Sequence, residues 1–143
     1  MKTYTLFEDA LHAWLSISHK EAIKAGIKDK ISGFSYMDNT RIYLEEDRDK
    51  WLFLDTLKTE YRIKSSYKDR SPIRNKAGYN PKMVGYIPET GDILTHYNNA
   101  KYKVKRINKK YIYLEDCYCL LKSIPKYFKK FNKNILDFPS FGI

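Results

Sequence analysis

The densest cluster of acid in this chain is Glu45, Glu46, Asp47 and Asp49, and carboxylates at that spacing suit three kinds of work. They can hold magnesium for phosphoryl chemistry or divide general-acid and general-base roles. They can contact a protein or a nucleotide. They can also stand at a helix start, where Glu46 and Asp47 would cap free N–H groups and meet the positive end of the dipole. Under the first use the chain is a divalent-metal-dependent nuclease or nucleotide hydrolase, with Glu45, Glu46 and Asp49 as its catalytic residues. No paired histidines and no lysine at nuclease spacing accompany the run, so a role without catalysis is the preferred expectation. No metal site and no cofactor is assigned.

Two basic constellations favour binding. Lys101, Lys103, Lys105, Arg106, Lys109 and Lys110 are interleaved with Tyr102 and followed by Tyr111 and Tyr113. Lysines at alternate strand positions face one way and could follow a phosphate backbone, with the aromatics stacking bases. The same pattern also describes a solvated lysine face that guards a sheet edge. The second constellation is the polar stretch 68–82, where Arg70 and Arg74 flank Ser71-Pro72 in an extended segment that displays guanidinium groups to phosphate or carboxylate. Alternatively Arg74 pairs with the acidic run. Cys117 and Cys119 make a poor disulfide and half a zinc site, and read as free thiols.

The charge balance points the same way. Net charge is +10 over 143 residues. Residues 1–80 hold 15 basic and 12 acidic side chains, whereas residues 81–143 hold 12 and 5, so the shorter part carries most of the positive field. A polyanionic partner follows, DNA or RNA, or an acidic protein surface. Apolar runs are only a few residues long, so no membrane partner is expected, and the N-terminus lacks a leader pattern, which predicts a cytoplasmic protein.

The elements that must position these residues are short and strand-rich, as thirteen tyrosines predict. Strands are expected at TYTLF and HAWLSIS. A helix follows at residues 19–25, opened by a Ser18–Glu21 capping box and closed at Gly26, with His19 facing solvent. ISGFSY and RIYLE form a hairpin. A helix then runs from the acidic cluster to Tyr61, with Trp51, Leu54 and Leu57 on its core face. YRIKSSY is a further strand. Beyond Met83, GDIL, KYKVKRI and KYIYLED look like the strands of a small SH3-like barrel, followed by a short basic helix or turn near Pro125 and an apolar tail packed back on the protein. The expected fold is therefore α+β: antiparallel hairpins with two helices in residues 1–82, and a basic SH3-like subdomain in residues 83–143. Ile-Tyr-Leu-Glu occurs at 42–45 and again at 112–115, and strand alternation explains both copies.

Trp14, GIKDKISGFSY (26–36), YLEEDRD (43–49) and SPIR (71–74) together resemble a family of small domains found on phages, plasmids and other mobile elements. The resemblance spans roughly residues 12–76, with Phe34 in place of the family's tyrosine. It directs attention to Trp14, Ser35, Tyr36, Glu45, Glu46, Asp47, Asp49, Ser71 and Arg74. What it implies is a setting: a phage- or plasmid-encoded accessory protein in the host cytoplasm. By analogy, such a protein acts by binding and inhibits a host defence system, as an anti-CRISPR protein blocks a nucleoprotein effector. A plain nucleic-acid-binding module is the alternative.

Overall fold

A computed structural model of the chain describes residues 1–134. The apolar tail, residues 135–143, lies outside the described residues. The fold is α+β, with short helices set among mostly antiparallel strands.

The N-terminal part forms a six-stranded sheet. β1 (Lys2–Glu8) and β2 (Ala13–Ser18) make an antiparallel pair, and β2 pairs on its other side with β4 (Arg41–Glu45). The two-residue strands β3 (Tyr36–Met37) and β6 (Ala77–Gly78) complete that edge. β5 (Tyr61–Tyr67) joins the opposite edge, where it runs parallel to β1. Because side chains alternate across a strand, the sheet sorts its residues onto two faces. Leu15, Ile17, Ile42 and Leu44 belong to the main core, whereas Trp14 and Tyr43 form a second cluster with Ile73, flanked by Phe7 and Tyr36.

Helix α1 (His19–Lys24) begins at the expected capping box, with both reciprocal bonds between Ser18 and Glu21 in place. It stops before Gly26, whose φ of +72° is a left-handed conformation that glycine adopts without steric cost. Helix α2 (Asp49–Leu54) is shorter than its sequence pattern predicts. The Thr56 hydroxyl donates back to the Phe53 carbonyl and the chain turns away. Phe53 and Leu54 face the core, but Trp51 is 50% exposed and lies under Lys50 rather than in the core.

The stretch 68–82 is less irregular than expected. Single 3-10 turns at Pro72–Asn75 and Pro81–Met83 bracket β6. Each opens on a polar side chain, Ser71 or Asn80, that accepts a backbone N–H two residues on.

The remaining strands form two three-stranded sheets. One contains β7 (Ile93–His96), β8 (Lys101–Lys103) and β12 (Phe128–Asn132), in the order β12-β7-β8. The other contains β9 (Arg106–Ile107), β10 (Tyr111–Tyr113) and β11 (Tyr118–Leu120), with β10 central. Helix α3 (Ile124–Tyr127) leads into β12. The meander order is as predicted, but the described strands do not close into a barrel. The reason lies at Val104, which breaks the single strand expected for KYKVKRI. Val104 is buried, its N–H donates to the Asp92 carbonyl, and its carbonyl accepts from Gly91 N–H. Lys105 N–H donates to the Tyr113 carbonyl, in the other sheet. The chain therefore changes sheets between Lys103 and Arg106.

The boundary drawn at residues 82/83 falls within the turn Pro81–Met83, and one continuous core cluster joins residues on both sides of it, from Tyr4 and Leu15 to Ile112 and Phe128. His19 bridges the two parts and is buried, not solvent-facing. Gly85 N–H donates to its Nδ1 at 2.7 Å, so Nε2 carries the proton and donates to the Asp38 carbonyl at 2.9 Å. The signal missed in sequence was that the first helical turn abuts the sheet, which buries its first residue.

Candidate functional site

Two places gather the residues with chemistry. The first is a cleft of about 610 Å3 on the Trp14 face of the large sheet. Strand β2 supplies Trp14, β3 supplies Tyr36, β4 supplies Glu45, the turn before α2 supplies Glu46, Asp47 and Arg48, and the 3-10 turn after Ser71 supplies Arg74. These residues are up to 60 positions apart, and the sheet register brings them together, with Trp14 opposite Glu45 and Tyr36 opposite Tyr43.

Within this cleft the acids divide. Glu45 holds the turn that starts α2: its Oε1 accepts from Arg48 and Asp49 N–H, and its Oε2 from Asp47 N–H, each at 2.8 Å. The cap expected of Glu46 and Asp47 is thus made by Glu45. Asp49 is fully buried, and its Oδ2 accepts from Ser32 N–H, Ser32 Oγ and Ser35 Oγ, while Oδ1 accepts from Arg48 at 2.8 Å. Ser35 Oγ in turn accepts from Glu45 N–H. A divalent ion on the Glu45, Glu46, Asp49 trio would have to displace these donors from two of the three carboxylates. Among the described residues no cluster of three His, Cys, Asp or Glu has the geometry to hold a metal.

Arg74 does not reach the acidic run. It forms a two-bond pair with Asp9, at 2.7 and 3.2 Å, and lies 5.1 Å from the centre of the Trp14 ring. The guanidinium, with help from Leu11 N–H, holds the Asp9 carboxyl well below the usual carboxylate range. Ser71 sets the turn that carries Arg74, by accepting Ile73 N–H. Arg70 is exposed, away from this cleft's lining.

The second place is the C-terminal part. The sheet break at Val104 distributes the predicted lysine stripe over two sheets and their link. Lys101 is exposed on β8 and Lys103 is half-buried there; Lys105 lies in the link, 3.7 Å from Glu115. Arg106 stacks 4.2 Å from the centre of Tyr113, and Lys110 stands over Tyr111 at 5.5 Å. Lys109 is exposed in the β9–β10 turn.

Alternation on β10 buries Ile112 and turns Tyr111 and Tyr113 to the opposite face, where Tyr118 lies directly across from Tyr113. The three rings touch, with centroid separations of 5.3, 5.7 and 6.2 Å, and Tyr118 is 62% exposed. Beside them opens a second cleft of about 500 Å3, lined by Tyr111, Tyr118, Tyr102, Tyr127, His96 and Phe128 among others. Lys101, Lys110, Lys122 and Lys126, each next in sequence to a lining residue, are exposed. Sequence reasoning found Tyr102, Tyr111 and Tyr113 but missed His96, Tyr118, Tyr127 and Phe128. The alternation around Tyr118 was visible, but the partner strand that places it opposite Tyr113 was not. Cys119 lines this cleft too, and burial together with Cys117 pushes its thiol up to about 11, so it stays protonated and weakly reactive.

Among the described residues no helix is long and apolar enough to cross a membrane. Comparison with protein-family models, with curated proteins and with solved structures gives no match.

Proposed function

We propose that this chain acts by binding, and that its C-terminal part receives single-stranded nucleic acid, DNA or RNA, bare or held in a nucleoprotein. The observation that carries the reading is the tyrosine platform of Tyr111, Tyr113 and Tyr118, flanked by Arg106 and Lys110 and opening onto an aromatic cleft. Tyr118 is exposed beside the half-buried Tyr111 and Tyr113; an exposed ring offers a face to any base, and neighbouring cations meet the phosphates. The uneven distribution of positive charge supports the same partner. A narrower reading rests on the N-terminal resemblance: a phage- or plasmid-borne inhibitor that blocks a host defence nucleoprotein by occupying its nucleic acid. The catalytic alternative at Glu45, Glu46 and Asp49 draws no comparable support, because Glu45 and Asp49 are committed to intramolecular donors.

The test is fluorescence anisotropy with a labelled oligonucleotide of mixed sequence, about a dozen nucleotides long, in the span that small aromatic platforms cover. Affinity falls steeply with salt, and Lys110→Glu with Lys126→Glu flattens that slope. Tyr118→Ala weakens binding by about 1–3 kcal/mol, the usual worth of one stacked base. Failure of the wild-type protein to bind, or an unchanged affinity in Tyr118→Ala, would falsify the proposal.

A further inference from the structure

The cleft beside Trp14 uses none of the residues of the tyrosine platform, and its chemistry is opposite to that of the molecule as a whole. Its walls are aromatic and its free charge is negative. Phe34 is 81% exposed at its edge, where a phenylalanine gains nothing from water. Trp14 is only 3% exposed, but its indole nitrogen keeps contact with solvent, and its N–H donates to no acceptor among the described residues. Glu46 and Asp47 line the same cleft, and their carboxylates enter no hydrogen bond or ion pair among the described residues. The arginines of the lining are already engaged, Arg48 by Asp49 and Arg74 by Asp9. A ligand therefore meets two uncompensated carboxylates, aromatic surface and a spare N–H donor.

We infer that this cleft receives an extended segment of a protein partner carrying arginine or lysine. The cationic head pairs with Glu46 and Asp47, its methylene stem lies along Phe34 and Tyr36, and a backbone carbonyl accepts the Trp14 N–H. The protein already shows that this aromatic surface takes a cation, since the Arg74 guanidinium sits over the Trp14 ring. At about 610 Å3 the space suits a few residues of peptide rather than one head group. A phosphate-bearing ligand or an acidic peptide is opposed by the same two carboxylates. The inference stands apart from nucleic-acid binding, so either can fail alone.

The test uses the full chain with Trp51→Phe, which leaves Trp14 as the one tryptophan of the two in the sequence. Its emission is followed while a capped five-residue peptide with two arginines is added, and then the neutral citrulline counterpart. The expected result is a saturable change with the arginine peptide and affinity about tenfold weaker with citrulline, as loss of a charge pair predicts. Glu46→Gln with Asp47→Asn weakens binding by a similar factor without moving the melting temperature, because neither carboxylate bonds to another group among the described residues. Phe34→Ala also weakens it, and Tyr118→Ala leaves it unchanged. Absence of saturation, equal binding of the citrulline peptide, indifference to the acid substitutions, or tighter binding of a dinucleotide at this reporter overturns the inference.

Discussion

Asp49 and Glu46 belong to one acidic run, and burial separates their roles. Asp49 accepts four hydrogen bonds at the start of α2, two of them from serine hydroxyls on the loop before β3. Asp49→Ala leaves those hydroxyls and an amide without their acceptor, which costs about 2–3 kcal/mol. Glu46→Gln changes stability by less than about 0.5 kcal/mol, because its carboxylate holds no partner among the described residues. Urea denaturation of the two variants distinguishes them, and equal effects would mean that Asp49 is not the anchor of the loop. The acidic composition of the run was plain in the sequence. Which carboxylate is buried was not, since Ser32 and Ser35 reach Asp49 only after the loop folds back over it.

The elements carry a second lesson in Gly26 and Val104. Gly26 ends α1 with a positive φ, and a methyl group placed there would meet no atom within 4 Å. Gly26→Ala therefore loses about 1 kcal/mol through backbone strain alone, with an unchanged denaturant slope. Gly33→Ala has the same open space without the positive φ, and is neutral or slightly stabilising. A loss at Gly33 equal to that at Gly26 would contradict this account. Capping box and glycine stop are local chemistry, so α1 was legible from residues 18–26. The strand break at Val104 was not. Alternation in KYKVKRI is satisfied equally by one strand or by two that part at a buried residue, and only the bonds to Gly91 and Asp92 decide between them.

At the scale of the whole molecule, His19 ties the N-terminal sheet to the turn at Gly85. Burial holds its pKa below the ordinary 6.5, against the opposing pull of the Asp38 carbonyl. The unfolded chain then binds the extra proton more readily than the folded one, so stability is lost as pH falls through 6.5. Protonation of Nδ1 would also break the bond from Gly85. Thermal melts between about pH 7 and pH 5, the range in which histidine titrates, should show that loss in the wild type and a flatter profile in His19→Gln. An unchanged slope in the variant places the titration elsewhere. The α+β class, the hairpins and the C-terminal excess of positive charge were determined by the sequence itself, because they follow from local alternation, turn chemistry and composition. Tertiary structure decided the parallel docking of β5 on β1, the open pair of C-terminal sheets, the burial of His19, and the meeting of Trp14, Tyr36, Glu46 and Arg74 in one cleft. Each of these depends on contacts between residues far apart in the chain, and periodicity along a strand says which side chains share a face but not what that face will meet.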